Sequence, residues 1–204
     1  RALQLNEQLG GTVTAVTVGD ASVEPTLRKA LAIGAHDAVR VDALPTDPLQ
    51  VSRELAAVVS EGAYELVICG QESIDYNGGI VPSALAEILG WPVVTPCIGF
   101  DPAGGRAKAS REIDGGKEVL DIALPAVLGA KKGLVEESEL RIPNMRGIMA
   151  ARTKPLVVKA PTGATAGSAP VSFSKPAGKS AVQMIDAQNL DALVKKLHEE
   201  AKVI

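Results

Sequence analysis

Aromatic side chains are nearly absent from this chain: one tryptophan, two tyrosines and two phenylalanines make up 2% of its 204 residues. With 46% hydrophobic residues the chain is able to bury a sizeable core, and that core must be aliphatic. Cysteine is equally scarce. Cys69 and Cys97 lie at the ends of apolar runs, where a buried thiol behaves as a small hydrophobe, and no Cys-x-x-Cys pair is available. A reducing compartment fits this usage. The two histidines, His36 and His198, have no second ligand at metal spacing, so no metal site is expected. No apolar stretch approaches the roughly 20 residues that span a bilayer, and no charged segment followed by an apolar one opens the chain. The sequence therefore reads as soluble, unsecreted and not membrane-embedded. A net charge of −3, with basic residues scattered rather than striped, leaves no electrostatic footprint for nucleic acid. Neither a Ser-His-Asp set nor a P-loop is present, so no catalysis by this chain alone is expected.

What the chain does have is an alternation of short aliphatic runs and amphipathic segments. Arg1 to Gly10 reads as the tail of a helix, with Leu5 and Leu9 four apart and a glycine stop. Thr12 to Val18 is β-branched enough for a buried strand. A helix capped by Ser22 then runs to about Ile33, with Leu27, Ala30 and Leu31 on one face and Gly34 ending it. Asp37 to Val41 repeats the strand. Asp47 with Pro48 starts a helix carrying Val51, Leu55, Val58 and Val59 on one face, Gly62 stops it, and Glu65 to Gly70 is the next strand. Such alternation predicts an α/β fold built on a mostly parallel, Rossmann-like sheet with helices on both faces. Pro92 to Thr95 predicts a short strand. Arg106 to Ile113 and Lys117 to Leu124 flank Asp114-Gly115-Gly116 and predict an added antiparallel hairpin, and Ala126 to Ala130 one more strand. Asn144 to Arg152 reads as a basic helix. From Ala160 to Gly178 the composition is that of an extended arm, with Phe173 its one large side chain, and Asp186 to Val203 is an amphipathic helix with Leu190, Leu193, Val194, Leu197 and Ala201 on one face. The expected organisation is a nucleotide-binding α/β domain over residues 1–156 and an arm with a partner-docking helix over residues 157–204.

The most pointed feature is the loop after the run Leu66-Val67-Ile68-Cys69-Gly70. A strand ending in glycine places the next residues at the carboxyl edge of a parallel sheet. The pair Gly78-Gly79 then lets backbone N–H groups approach a phosphate before a helix begins. An ordinary glycine-rich turn accounts for the same residues equally well.

Four segments in order decide between these readings: Gly70 to Pro92, with its run Leu85-Ala86-Glu87-Ile88-Leu89-Gly90-Trp91-Pro92; Ser110-Arg111-Glu112-Ile113-Asp114-Gly115-Gly116; Leu124-Pro125-Ala126-Val127; and Ile142-Pro143-Asn144-Met145-Arg146-Gly147-Ile148-Met149. Together, from Gly10 to about Leu156, they resemble the beta (small) subunit of electron-transfer flavoproteins. The resemblance implies an adenine-nucleotide-hydrolase-like sheet, and a strand and loop ahead of Arg1. It also implies an electron carrier rather than an enzyme, working as a heterodimer with an FAD-bearing alpha subunit. The family's AMP loop, Ser-Ile-Asp-Asp-Asp-Ser-Gly-Gln-Val, aligns without gaps on Ser73, Ile74, Asp75, Tyr76, Asn77, Gly78, Gly79, Ile80 and Val81, preceded by Gly70 and Gln71. Val18 also lines the nucleotide site in the family. Asp75 and Gly79 match; Tyr76 and Asn77 replace acids, and Ile80 replaces a polar residue. Fewer carboxylates near a diphosphate would suit, as an alternative, a second FAD in place of AMP, with NADH as the electron source of a bifurcating form.

By the same resemblance, Ile142 or Met145 plugs a pocket of an acyl-CoA or related dehydrogenase with Arg146 and Arg152 on the rim. Arg111 and Glu112 face the partner subunit, the C-terminal arm reaches across it, and electrons pass on to a quinone oxidoreductase. The setting implied is bacterial cytoplasm or mitochondrial matrix. Two other classes share such a sheet: a stand-alone adenine-nucleotide sensor of the universal-stress type, and an adenylating enzyme that would carry Ser-Gly-Gly-x-Asp-Ser after its first strand.

Overall fold

The computed structural model of the chain describes residues 1–204 except Asp75 and Ser180. Its contacts divide it into two units, Arg1–Pro170 and Val171–Ile204. The first unit is α/β. In chain order it contains α1 (Ala2–Leu9), β1 (Thr14–Val18), α2 (Glu24–Ile33), β2 (Asp37–Val41), α3 (Pro48–Glu61), β3 (Leu66–Gly70) and α4 (Val81–Leu89). After these come β4 (Val93–Ala103), β5 (Arg106–Ile113), β6 (Gly116–Ala123), β7 (Ala126–Ala130), α5 (Met145–Ala151) and β8 (Leu156–Lys159). The second unit contains α6 (Leu190–Lys195), capped by the Asn189 side chain, which accepts from the Ala192 N–H, and continuing as π-helical turns over Lys196–Ala201.

The strands form two sheets rather than one. One has the order β1-β2-β8, all parallel; the other has the order β3-β7-β4-β5-β6, parallel through β4 and antiparallel from β4 to β6. The hairpin falls where its turn glycines place it, with Gly115 at φ 83°. β4 is longer than the short strand expected around Pro92 to Thr95. It pairs parallel with β7 through Val93 and Val94, shifts register before Cys97, and continues antiparallel to β5 as far as Ala103. A proline at position 96 reads as a strand breaker, yet here it sits where β4 changes partner.

Local chemistry explains most helix limits. The Asp20 carboxylate, not Ser22, opens the turn before α2: its Oδ1 accepts from the Ser22 N–H at 2.9 Å. Asp47 caps α3 by accepting from the Gln50 N–H at 2.8 Å, with Pro48 in the first turn where a missing N–H costs nothing. α3 covers one face of both sheets. Leu55 packs with Val16, Val18, Val39 and Val41 of the first sheet, and with Val67 and Val127 of the second in a cluster completed by Ala56 of α3 and Leu85 of α4. The second sheet's other face buries Phe100, Val94, Cys97, Ala109 and Leu128 against Leu5 of α1. Each large side chain buried in this way contributes about 1.5–3 kcal/mol. Both thiols belong to this packing. Burial pushes the Cys69 thiol up to about 11 and raises that of Cys97, so both stay protonated at neutral pH.

The stretch after β8 is strapped to α3 by two buried carboxylates. Glu54 accepts from the Thr162 N–H and hydroxyl, each at 2.8 Å, and Asp47 Oδ2 accepts from the N–H groups of Gly167 and of Ser168, the latter at 3.0 Å. These bonds supply the partners that buried carboxylates require. The amides of Gln50, then Ser168, Gly167 and Leu49, hold the Asp47 carboxyl below its ordinary 3.8. A depressed folded value means that the strap's contribution is complete above that ordinary value and is lost as pH falls through the folded one. Amide-exchange protection of Gly167 and Ser168 is therefore expected to collapse on acidification below about pH 3.8. In Asp47→Asn it should be weaker at neutral pH and lack that step; identical profiles in the two proteins would refute the strap.

Candidate functional site

The loop between β3 and α4 lies at the carboxyl edge of the parallel strands, as its sequence predicts. Gly70 ends β3, and the Gln71 N–H donates to the Ala130 carbonyl at 3.0 Å, tying the start of the loop to the end of β7. The far end is set by α4. Pro82 is fully buried in its first turn, and a Cβ on Gly129 of β7 would lie 3.1 Å from Pro82 Cγ and 2.4 Å from Thr95 Oγ1. Gly129 is therefore what allows α4 to begin directly over the sheet.

Between these anchors the chain turns outward. The Asn77 N–H donates to the Ser73 carbonyl at 2.8 Å, with Asn77 at φ 48° and Gly79 at φ 60°, the left-handed region that asparagine and glycine tolerate. Asn77's side-chain amide, oriented to satisfy both, donates to the carbonyls of Ser73 and Ile74 at 3.2 Å each. Ile74 and Tyr76 are exposed, at 92% and 70%, and Ile80 is half exposed. Asp75 lies outside the described residues.

The geometry suits a nucleotide in two respects. Among the described residues, the N–H groups of Gly78, Gly79, Ile80 and Val81 have no intrachain acceptor. They gather at the positive end of α4, a nine-residue helix whose N-cap residue, Ile80, offers no side-chain acceptor. Gln71 Oε1 is buried with no donor among the described residues, an acceptor suited to an amino or hydroxyl group of a ligand. A phosphate on the loop amides would complete the first feature, and a base or ribose near Gln71 the second. Val18, by contrast, is 8% exposed and packs against Val41 and Val58, so it bounds the site only as the core residue at the carboxyl end of β1.

A second cluster gathers around α5. Asn144 Oδ1 accepts from the Gly147 N–H at 2.8 Å and starts the helix. Arg28 of α2 donates to the carbonyls of Ala151 and Lys154, each at 2.8 Å, while Lys154 Nζ donates to the carbonyls of Leu31 and Ala35 at the end of α2, at 2.9 and 2.5 Å. Each helix thus ends on a cation from the other segment, the arrangement its dipole favours. Sequence reasoning missed this clasp, and no local pattern signals it: neither helix carries a basic residue in its last turn. With α5 so held, Ile142 and Met145 stand out at 86% and 74% exposed, joined by Met149, and Arg146 and Arg152 are exposed beside them.

Arg111 and Glu112 are not brought together. As neighbours on β5 they point to opposite faces. Arg111 pairs with Glu118 across the hairpin at 2.6 Å, and Glu112 pairs with Lys131 beyond β7.

An α/β domain with a glycine-rich strand-to-helix loop at the carboxyl edge of its parallel strands is the class this geometry defines. The family described as the electron transfer flavoprotein domain matches residues 1–163. The chain is 37% identical to the electron transfer flavoprotein subunit beta of Bacillus subtilis over 159 residues, covering 76% of this chain and 61% of that protein. It is 38% identical to the same subunit of Mycobacterium leprae over 167 residues, covering 77% and 61%, and 32% identical to that of Homo sapiens over 212 residues, covering 99% and 81%. The chain belongs to the electron transfer flavoprotein family and is similar to its beta subunits. It spans about three-fifths of the length of the bacterial relatives named here. No described helix is long and apolar enough to cross a membrane.

One contact on α5 gives a sharp expectation. A Cβ on Gly147 would lie 2.3 Å from the Ala32 carbonyl oxygen of α2, a backbone atom with little room to retreat. Gly147→Ala is expected to cost roughly 1–3 kcal/mol in urea unfolding as α5 is forced off α2. Wild-type stability in that variant would show that α5 does not rest on α2 at this point.

Proposed function

We propose that this chain is the beta-subunit part of a soluble electron carrier, holding AMP on the loop of residues 70–81 and working with a larger alpha subunit that binds FAD. The observation that carries the reading is the row of amides from Gly78 to Val81 at the start of α4, which have no acceptor among the described residues, in a chain of this family. Gly70 and Gln71 set the loop's entry, Ser73 and Asn77 shape its turn, and the backbone from Gly78 to Val81 holds the phosphate. Tyr76 and Ile74 complete its outer wall, and Asp75 is assigned to the site by the family resemblance alone. The chain needs no catalytic residue for this role. FAD, when bound to the partner, supplies the redox chemistry; this chain bounds the flavin site, excludes water from one side of it and presents the docking surface.

That surface is the exposed apolar set on and before α5. An apolar anchor with a basic rim suits a brief encounter that must release after each transfer. Ile142 or Met145 enters a pocket on an acyl-CoA or related dehydrogenase, with Arg146 and Arg152 steering the approach, and a quinone oxidoreductase receives the electrons. Arg111 and Glu112, both engaged within the chain, would face the alpha subunit as preformed ion pairs, and residues 157–204 would reach across it. A second FAD on the same loop, with NADH as electron source, is the alternative, favoured by the uncharged side chains of Tyr76 and Asn77 where the family carries acids.

In the complex with the alpha subunit, Met145→Asp and Ile142→Asp are tested separately by stopped-flow reduction with an acyl-CoA dehydrogenase. At least one should slow electron receipt by roughly tenfold or more, with flavin content unchanged. Wild-type rates in both would remove the docking assignment.

A further inference from the structure

Four asparagines occur in the chain, and three of them are held by their side chains. Asn6 Nδ2 donates to the Gly11 carbonyl at 2.7 Å, Asn144 Oδ1 accepts from the Gly147 N–H at 2.8 Å, and Asn189 Oδ1 accepts from the Ala192 N–H at 3.1 Å. Each is also followed by a residue with a long side chain, Glu7, Met145 and Leu190, which crowds the peptide nitrogen between them. Asn77 differs on both counts. Its amide reaches the Ser73 and Ile74 carbonyls at 3.2 Å each, the long end of the hydrogen-bond range, and the residue is exposed. Gly78 follows it, and among the described residues the Gly78 N–H has no acceptor.

The peptide nitrogen after an asparagine is placed to attack that side chain's carbonyl carbon. Two things ordinarily prevent it: a hydrogen bond that holds the N–H, and a Cβ on the following residue that blocks the approach. Neither is present at Gly78. The two long bonds keep the Asn77 amide turned back on residues 73 and 74, and an exposed turn held in this way opens locally at little cost in free energy.

We propose that Asn77-Gly78 is a site of spontaneous deamidation through a cyclic imide, with water as the co-reactant. The Gly78 nitrogen loses its proton and bonds to Asn77 Cγ. The Cγ–Nδ2 bond breaks, and ammonia leaves with that proton. Water then opens the five-membered imide at one of its two carbonyls, giving aspartate or isoaspartate, and no electrons change hands. Either product puts a carboxylate where a neutral amide stood, next to the row of amides from Gly78 to Val81. An aspartate at 77 is able to accept from an N–H two residues on, and so competes for the donors that an external anion would use. Isoaspartate lengthens the main chain by one carbon inside the turn that holds Asn77 at φ 48°. The modification changes the loop's charge and shape without an enzyme, and it is independent of what the 70–81 loop binds.

The test is peptide mapping by mass spectrometry after incubation of the intact chain at mildly alkaline pH, with digestion in acid, where the reaction is suppressed. A gain of one mass unit at Asn77 is expected, roughly tenfold or more faster than at Asn6, Asn144 or Asn189, with isoaspartate among the products. Gly78→Ala is the control. A Cβ there would approach only Ile80, at 3.9 Å, and the φ of Gly78 lies outside the left-handed region, so the fold accommodates the methyl group. Conversion in that variant should slow by roughly tenfold or more at an unchanged Tm. Conversion at Asn77 no faster than at the other three asparagines would overturn the proposal. So would equal rates in the wild type and Gly78→Ala, or aspartate formed without isoaspartate, since direct hydrolysis of the side-chain amide passes through no imide.

Discussion

The two-sided packing of α3 is the constraint on which the rest depends. Leu55 belongs to the apolar clusters of both sheets, and the flanking Ala56 and Val58 commit one to each. No described strand joins β1 to β3, so on this face the helix holds the two halves together. Its polar positions are used as well: Asp47 caps its start while gripping the 167–168 backbone, and Glu54 grips Thr162. Burying a carboxylate is costly unless its oxygens are bonded, and here the bonds are what hold the following segment in place. One helix thus aligns the sheets, supports α4 and fixes the chain beyond β8.

The candidate nucleotide site inherits its shape from that frame. α4 rests on the sheet through Gly129 and Pro82, so its first turn has a fixed height above the ends of β3 and β7. The loop has only to bring Gly78 and Gly79 to that turn, and Asn77 does so by adopting a left-handed conformation. A site made of backbone amides is insensitive to the side chains around it. Differences from the family at positions 76, 77 and 80 would therefore leave the amides of such a site in place.

Much of this was legible in the sequence because it is local. The β-branched runs, the Asp47-Pro48 helix start, the Gly115 turn and the short helix after Asn144 each depend on a few adjacent residues, and the structure contains each of them. The misreadings have non-local causes. Ser22 looked like a cap, but Asp20 two residues earlier takes the amide. β4 was expected to stop near Thr95, because continuation past a proline depends on β5 being there to receive it. β8 is only four residues long and half exposed, so without β2 it has no periodicity to read. The helix expected from Asp186 begins at Leu190, where Asn189 supplies the cap. The Arg28–Lys154 clasp and the division into two sheets depend on residues more than a hundred positions apart.

The nucleotide content of the chain co-purified with its larger partner tests the central claim most directly, after acid release and chromatographic quantitation. AMP and FAD in equal amounts are expected if the 70–81 loop holds AMP beside a single flavin. FAD alone, at either one or two per complex, would contradict it, the higher value placing a second flavin on this loop and the lower leaving the loop without a nucleotide.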